Sequence, residues 1–226
     1  PSLRSGSRPT LSTVSPSARL ANRARATSNE SALRDIAQFF LAPELIFREE
    51  FEFGRICAKF SLFSPDTGFV GRIIQVDEVL PTEVFKPNCY VAEIKDADDR
   101  TLLVVSRELS MKVRVKAYRP DGEEIGRLEQ QGPGILGAQE IFITNGGLPI
   151  GVMRRTEAFS HDFHILDQND NLVASVLDVW DGFARELFTN TETHVLVTPR
   201  PVSDPLRPLL LVCPLVVAFL KKQESD

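Results

Sequence analysis

Residues 204–223 read DPLRPLLLVCPLVVAFLKKQ, and the place this stretch takes decides the fold. From Leu209 to Leu220 it holds no charge and no strongly polar side chain, and Lys221 and Lys222 close it. It can be a membrane segment, a helix buried within the protein, or an apolar strand. Crossing a bilayer core takes about 20 apolar residues, whereas a run of 10–14 is more often a core helix or an interfacial segment. Pro214 removes one helical hydrogen bond and crowds the preceding turn, so a kink or break is expected there. The helix is expected to begin at Pro208 and bend near Cys213. A surface helix shows a polar face, and this run has none. The favoured placement is therefore a helix buried on all sides, for which the rest of the chain must supply a container.

The chain has 226 residues, enough for one large domain or two small ones. Its 42% hydrophobic and 25% charged residues are those of an ordinary globular protein. Cys57, Cys89 and Cys213 are odd in number and lack CxxC spacing, which argues against a disulfide framework or a zinc site and for a reducing compartment. Residues 1–29 carry Arg4, Arg8, Arg19, Arg23 and Arg25, many serines and no acid. That composition is a disordered tail or an organelle transit peptide, the latter pointing to mitochondria. The remainder holds 21 basic against 31 acidic residues, a net of −10. So acidic a body is a poor candidate for binding nucleic acid, which needs a basic footprint.

Ser31–Ala42 (SALRDIAQFFLA) is predicted as a short helix with Leu33, Ile36, Phe40 and Leu41 on one face, ended by Pro43. It is expected to lie across the outside of the domain, or to bind a protein partner. After Pro43 the period becomes two. The predicted strands are Leu45–Phe53, Ile56–Phe63, Phe69–Val76, Tyr90–Lys95, Leu102–Ser106, Lys112–Tyr118, Glu124–Glu129, Gln139–Thr144, Pro149–Arg154, Asp162–Leu166, Leu172–Trp180, Ala184–Phe188 and His194–Thr198. Short strands at this spacing, with turn residues between, indicate a sandwich or barrel.

A hairpin unit repeats within this pattern. FSLFSPDTGFVGRIIQV (60–76), VKAYRPDGEEIGRLEQ (115–130), IFITNGGLPIGVMRR (141–155) and FHILDQNDNLVASVLDVW (163–180) each pair two strands around a polar turn. Gly, Asn and Asp in those turns tolerate the positive φ that tight hairpins need. Gly71, Gly126 and Gly151 recur at one point of the second strand, with Ala174 in the fourth copy. A small residue there predicts a bend or the close approach of another group. Closure into a barrel would remove the exposed edges of such a sheet. A barrel of about a dozen strands is wide enough to enclose something, and the apolar helix fits as its filling.

Catalytic chemistry is sparse. The chain has no GxGxxG, Walker or HExxH motif, and Gly132-Pro133-Gly134 reads as a loop, not a phosphate cradle. His161, His164 and His194 are read as polar turn residues, since a spacing of three puts His161 and His164 on opposite faces of a strand. The acidic runs at 96–99 and 121–124 read as solvated turns rather than calcium loops.

Four stretches carry a resemblance. YVAEIKDADDRTLLVVSRE (90–108), QEIFITNGGLPIGVMRR (139–155), residues 163–188 and the terminal apolar run at 204–224 resemble, in order, the phospholipid scramblase family, a branch of the tubby-like fold. The most specific block contains Trp180, Gly182, Arg185, Glu186, Phe188 and Thr189. The resemblance implies a closed, mainly β, antiparallel barrel of about twelve strands around a buried C-terminal helix. On this reading residues 1–29 are the tail, 30–43 the short helix, and 44–224 the barrel with its central helix at 205–222.

The resemblance further implies a membrane-associated protein at an intracellular membrane face that moves phospholipids between leaflets without ATP, usually with calcium. The alternative is a tubby-like module that binds lipid or protein and transports nothing. Both are non-enzymatic. Where the family has its calcium segment, this chain offers Asn190 and Glu192, one amide and one carboxylate, a poor calcium ligand set. The candidate headgroup contacts are Arg114, Lys116, Arg119, Arg154 and Arg155, for each of which a salt-bridged outer face is the competing reading.

Overall fold

The computed structural model describes residues 36–50, 59–76, 89–108, 110, 112–131, 140–157, 160–178 and 193–225. Twelve strands follow in chain order: β1 (Glu44–Glu50), β2 (Lys59–Ser64), β3 (Gly68–Gln75), β4 (Cys89–Asp96), β5 (Thr101–Glu108), β6 (Arg114–Tyr118), β7 (Glu124–Gln131), β8 (Glu140–Asn145), β9 (Leu148–Arg155), β10 (Phe163–Asp167), β11 (Leu172–Asp178) and β12 (Thr193–Val197). Each pairs antiparallel with its neighbours in sequence, and β1 closes on β12 from Glu44↔Val197 to Arg48↔Thr193. All the predicted strands but one have a counterpart; Ala184–Phe188 lies outside the described residues.

Two helices fill the barrel, α1 (Leu206–Leu210) and α2 (Cys213–Ser225). Every residue from Pro208 to Leu220 is buried. The break expected near Pro214 falls at Leu211–Val212. There the amides of Leu211 and Val212 donate to the carbonyls of Pro208 and Leu209 at 3.3 and 3.1 Å. The Cys213 thiol also donates to Leu209 O, at 3.4 Å. Pro214 then sits in the first turn of α2, where no amide proton is needed. The helix begins earlier than Pro208, at Leu206.

The wall alternates along its strands, with apolar residues inward. Tyr90, Ala92 and Ile94 of β4 are buried, while Glu93 and Lys95 between them form an ion pair at 3.0 Å. A transmembrane barrel shows the reverse, with an apolar outer band. Burying a Leu, Val or Phe side chain fully is worth about 1.5–3 kcal/mol. A central helix buried along thirteen residues is therefore worth tens of kcal/mol, and it is the core of this protein rather than a detachable arm.

Closure depends on an irregularity repeated in five hairpins. Each has one extra residue in its second strand: Val70, Leu102, Ile125, Ile150 and Val173. Such bulges bend a strand and increase its twist. The next residue is Gly71, Leu103, Gly126, Gly151 or Ala174. A methyl on Gly126 would lie 2.6 Å from Thr144 O and 2.6 Å from Leu209 Cδ1, and one on Gly151 would lie 2.7 Å from Leu166 O. The small residues thus admit the next strand's carbonyl, and Gly126 also admits the helix. The hairpin β4–β5 belongs to the set although its sequence hides it, because Leu103 takes the small residue's place. The turns are built as predicted, with positive φ at Gly122 (89°) and Asp170 (59°).

Two expectations for the N-terminal helix are corrected. Residues 36–38 are helical, and 31–35 lie outside the described residues. Ile36, Phe39 and Ala42 are buried whereas Leu41 is 84% exposed, so the inward face is not the predicted one. Nor does the segment lie across the outside: a methyl on Gly71 would lie 3.0 Å from the Phe39 ring. The chain after Ala42 is tied to the end of β12, where Thr198 N donates to Pro43 O at 2.7 Å. This stretch covers the turn end of the barrel, where the helix enters.

Candidate functional site

At the opposite end, where the helix leaves, the inward face of the wall changes from apolar to polar. Period-two alternation places Glu49 after Phe47 in β1, Arg107 after Val105 in β5 and Gln130 after Leu128 in β7. Likewise Arg155 follows Met153 in β9, Asp178 follows Val176 in β11, and His194 precedes Leu196 in β12. These residues form a polar collar around the last turns of α2. His194 is fully buried, and the side chains of Arg155, Asp178 and Lys221 are 7, 9 and 13% exposed.

Consecutive helical residues point about 100° apart, so the tail of α2 meets the collar on all sides. The Phe219 ring lies under the Arg107 guanidinium at 4.4 Å and edge-on to Tyr90 at 5.2 Å. Lys221 Nζ is 3.0 Å from Asp178 Oδ2, and Lys222 Nζ is 3.9 Å from Glu49 Oε1. Gln223 Nε2 donates to Ser110 O at 3.2 Å. Glu224 accepts from Arg155 at 2.5 Å and meets His161 Nε2 at 3.0 Å.

Asp178 is the hub. Besides Lys221 it faces His194 Nδ1 at 3.5 Å and His161 Nδ1 at 3.9 Å, and its amide donates to Asp162 Oδ1 at 2.7 Å. Burial raises the Glu224 carboxyl, but the hydrogen bonds from Arg155 and His161 outweigh it and hold Glu224 below the usual carboxylate range. Chemically the collar gathers and pairs charge: four cations, Arg107, Arg155, Lys221 and Lys222, stand among the three carboxylates of Glu49, Asp178 and Glu224.

The predicted headgroup residues are not brought together. Arg114 and Lys116 lie on the outer face of β6, at 3.9 and 3.7 Å from Glu108. Arg119 pairs with Glu123 beside the β6–β7 turn, and Arg154 on the outer face of β9 pairs with Glu140 (2.8 Å) and Asp170 (3.0 Å). Arg155 alone enters the collar. The reading of the histidines is also corrected. His194 is buried in the inward face of β12, and His161 bridges the collar and the helix tail. His164, exposed on the outer face of β10, meets Ser175 Oγ at 3.1 Å.

Sequence reasoning missed Asp178, His161 and Glu224. The signal was a polar residue taking the next inward position where an apolar strand ends, on strands far apart in sequence. Trp180, Gly182, Arg185, Glu186, Phe188, Thr189, Asn190 and Glu192 lie outside the described residues. Among the described residues no group of three or more His, Cys, Asp or Glu could hold a metal ion. No helix among the described residues is long and apolar enough to cross a membrane.

No curated protein and no solved structure matches the chain. A protein-family model does, described as Scramblase, over residues 84–220. The match takes in β4 to β12 and the central helix to Leu220, leaving β1–β3 as strands that complete the barrel from outside it. With more than half of the chain covered, the protein belongs to the scramblase family.

Proposed function

We propose that this protein acts on membrane phospholipids as a scramblase-like protein, supporting ATP-independent movement of lipid in both directions between leaflets at an intracellular membrane face. The observation that carries the reading is the family match over the wall and its filling. Lipid translocation breaks no covalent bond, so the protein is read as a non-enzyme.

The packed lumen constrains how such an activity could run. Residues 208–220 fill the interior, so lipid does not pass through the barrel. Withdrawing the helix as a membrane anchor would expose Phe47, Phe60, Leu62, Ile94 and Phe163, all at most 1% exposed now. The lipid path therefore runs along the outside of an intact barrel. The same packed lumen favours one other reading, a tubby-like module that binds lipid headgroups or a protein, the latter through residues 31–42.

Liposomes with a fluorescent lipid in both leaflets separate the readings. Scrambling lets dithionite quench nearly all of the label in vesicles containing the protein, with or without calcium. Quenching confined to the outer leaflet sinks the transport reading. Co-sedimentation with the same vesicles would then leave the binding module standing.

A further inference from the structure

The collar contains a place where the protein holds an anion of its own. Arg155 projects inward from the end of β9, its guanidinium 5.5 Å from the Phe163 ring and its side chain 7% exposed. His161, in the β9–β10 connection, directs Nε2 at the same point. Both meet the carboxylate of Glu224. This carboxylate comes from the last turn of α2, and its side chain is 35% exposed. One partner is thus fixed by the wall, and the other sits where helices fray.

We propose that Arg155 and His161 form a binding site for a phosphate group, occupied here by Glu224 as an internal substitute. The chemistry of the site fits. A guanidinium presents parallel N–H donors that match phosphate oxygens two at a time, and an imidazole N–H adds a further donor. A ring beside the guanidinium fixes its plane and shields it from water, lowering the cost of desolvating it for a ligand. The charge exchanged also matches. Releasing Glu224 takes one negative charge from beside Arg155, and a phosphodiester, with one negative charge, restores it. His194 and Asp162 both meet Asp178, the first at 3.5 Å and the second by accepting from its amide. The phosphate can come from a lipid headgroup, which rests on the proposed function, or from solution, which does not.

Glu224→Gln keeps the shape of the side chain and removes its charge. In co-sedimentation with phosphatidylcholine vesicles containing phosphatidylglycerol, an anionic phosphodiester, the variant is expected to bind about tenfold more tightly than the parent chain, a gain of about 1.4 kcal/mol. Adding Arg155→Gln should abolish that gain. If thermal melting shows that this double variant is unfolded, His161→Gln with Glu224→Gln takes its place and should reduce the gain. Glu157→Gln, at an exposed acid in the same connection, changes net charge equally and leaves the Glu224 carboxylate in place, and should bind as the parent does.

In a second arm inorganic phosphate is titrated against Glu224→Gln, and the midpoint of thermal unfolding is followed. A rise with phosphate assigns a site open to free anions, whereas a gain on vesicles alone assigns the lipid headgroup. An equal gain from Glu157→Gln overturns the proposal. So does a gain that survives loss of Arg155, or a Glu224→Gln variant that behaves as the parent in both arms. The dithionite assay on the parent chain is read separately, so failure of transport and failure of this site are distinguishable.

Discussion

Replacing Gly126 by alanine tests whether the bulged hairpins set the distance between wall and helix. The new methyl would lie 2.6 Å from Leu209 Cδ1 and 2.6 Å from Thr144 O, where ordinary carbon contacts are about 3.5–4.0 Å. Something must move by roughly 1 Å. Leu209 is fully buried and has nowhere to swing, and Thr144 is fixed by its pairing with Arg127. Overpacking of this kind costs about 1–3 kcal/mol. At about 2–4 °C per kcal/mol for a chain of this size, the melting midpoint should fall by roughly 2–12 °C. Leu209→Ala alone should cost about 2–5 kcal/mol by leaving a cavity. Combined with Gly126→Ala it frees room for the methyl, so the double variant should be more stable than the sum of the singles by about 1 kcal/mol. Urea unfolding of the four proteins, compared at constant m-value, measures that coupling. Strict additivity, or a Gly126→Ala cost below about 0.5 kcal/mol, would refute the idea that the helix rests against this glycine.

Three further outcomes are expected. In a Cys57→Ser, Cys89→Ser background, Cys213 should resist a water-soluble maleimide until the protein is denatured, because burial pushes its thiol well above the usual range; ready labelling of the folded protein would remove the helix from the barrel. Asp178→Asn leaves Lys221, only 13% exposed, without its carboxylate; a loss of about 3 kcal/mol is expected in urea unfolding, and a loss below about 1 kcal/mol would show that the collar is held elsewhere. Glu224 has a depressed folded-state pKa, so its contribution is complete above the unfolded carboxyl value near 4.5 and disappears as pH falls below it. Stability should therefore decline with acid more gently in Glu224→Gln than in the parent, and parallel pH profiles would contradict the pairing.

Local rules account for most of what the sequence revealed. Period-two strands, turn residues such as Asp121-Gly122 and Asn145-Gly146-Gly147, and the apolar run at 209–220 act within a few residues of themselves, and each appears in the structure as predicted. Leu103 shows the limit of such reading: it fills a position where three sister hairpins need glycine, so β4–β5 went unrecognised as a copy. The face of residues 36–42 was misassigned because the segment turns after Gln38 and seals the barrel end, which places Phe39 rather than Leu41 inward. The collar was the least legible part. Asp178, His161 and Glu224 acquire meaning only when β9, β11 and the helix tail meet, and that meeting is a property of the closed circle. His194 looked like a turn residue for the same reason, since its buried surroundings come from β2 and β11.

The order of events in synthesis follows from where the helix sits. The described strands between residues 44 and 197 form the wall, and the segment that fills it, residues 206–225, is made after every one of them. Until then the nascent chain can form hairpins, whose contacts are local, but it cannot complete a core. Its inner Phe, Leu and Ile residues remain a hazard for aggregation throughout that interval. Loss of residues 206–225 should therefore yield insoluble protein rather than a weakened barrel, and the fate of the nascent wall is decided by that segment.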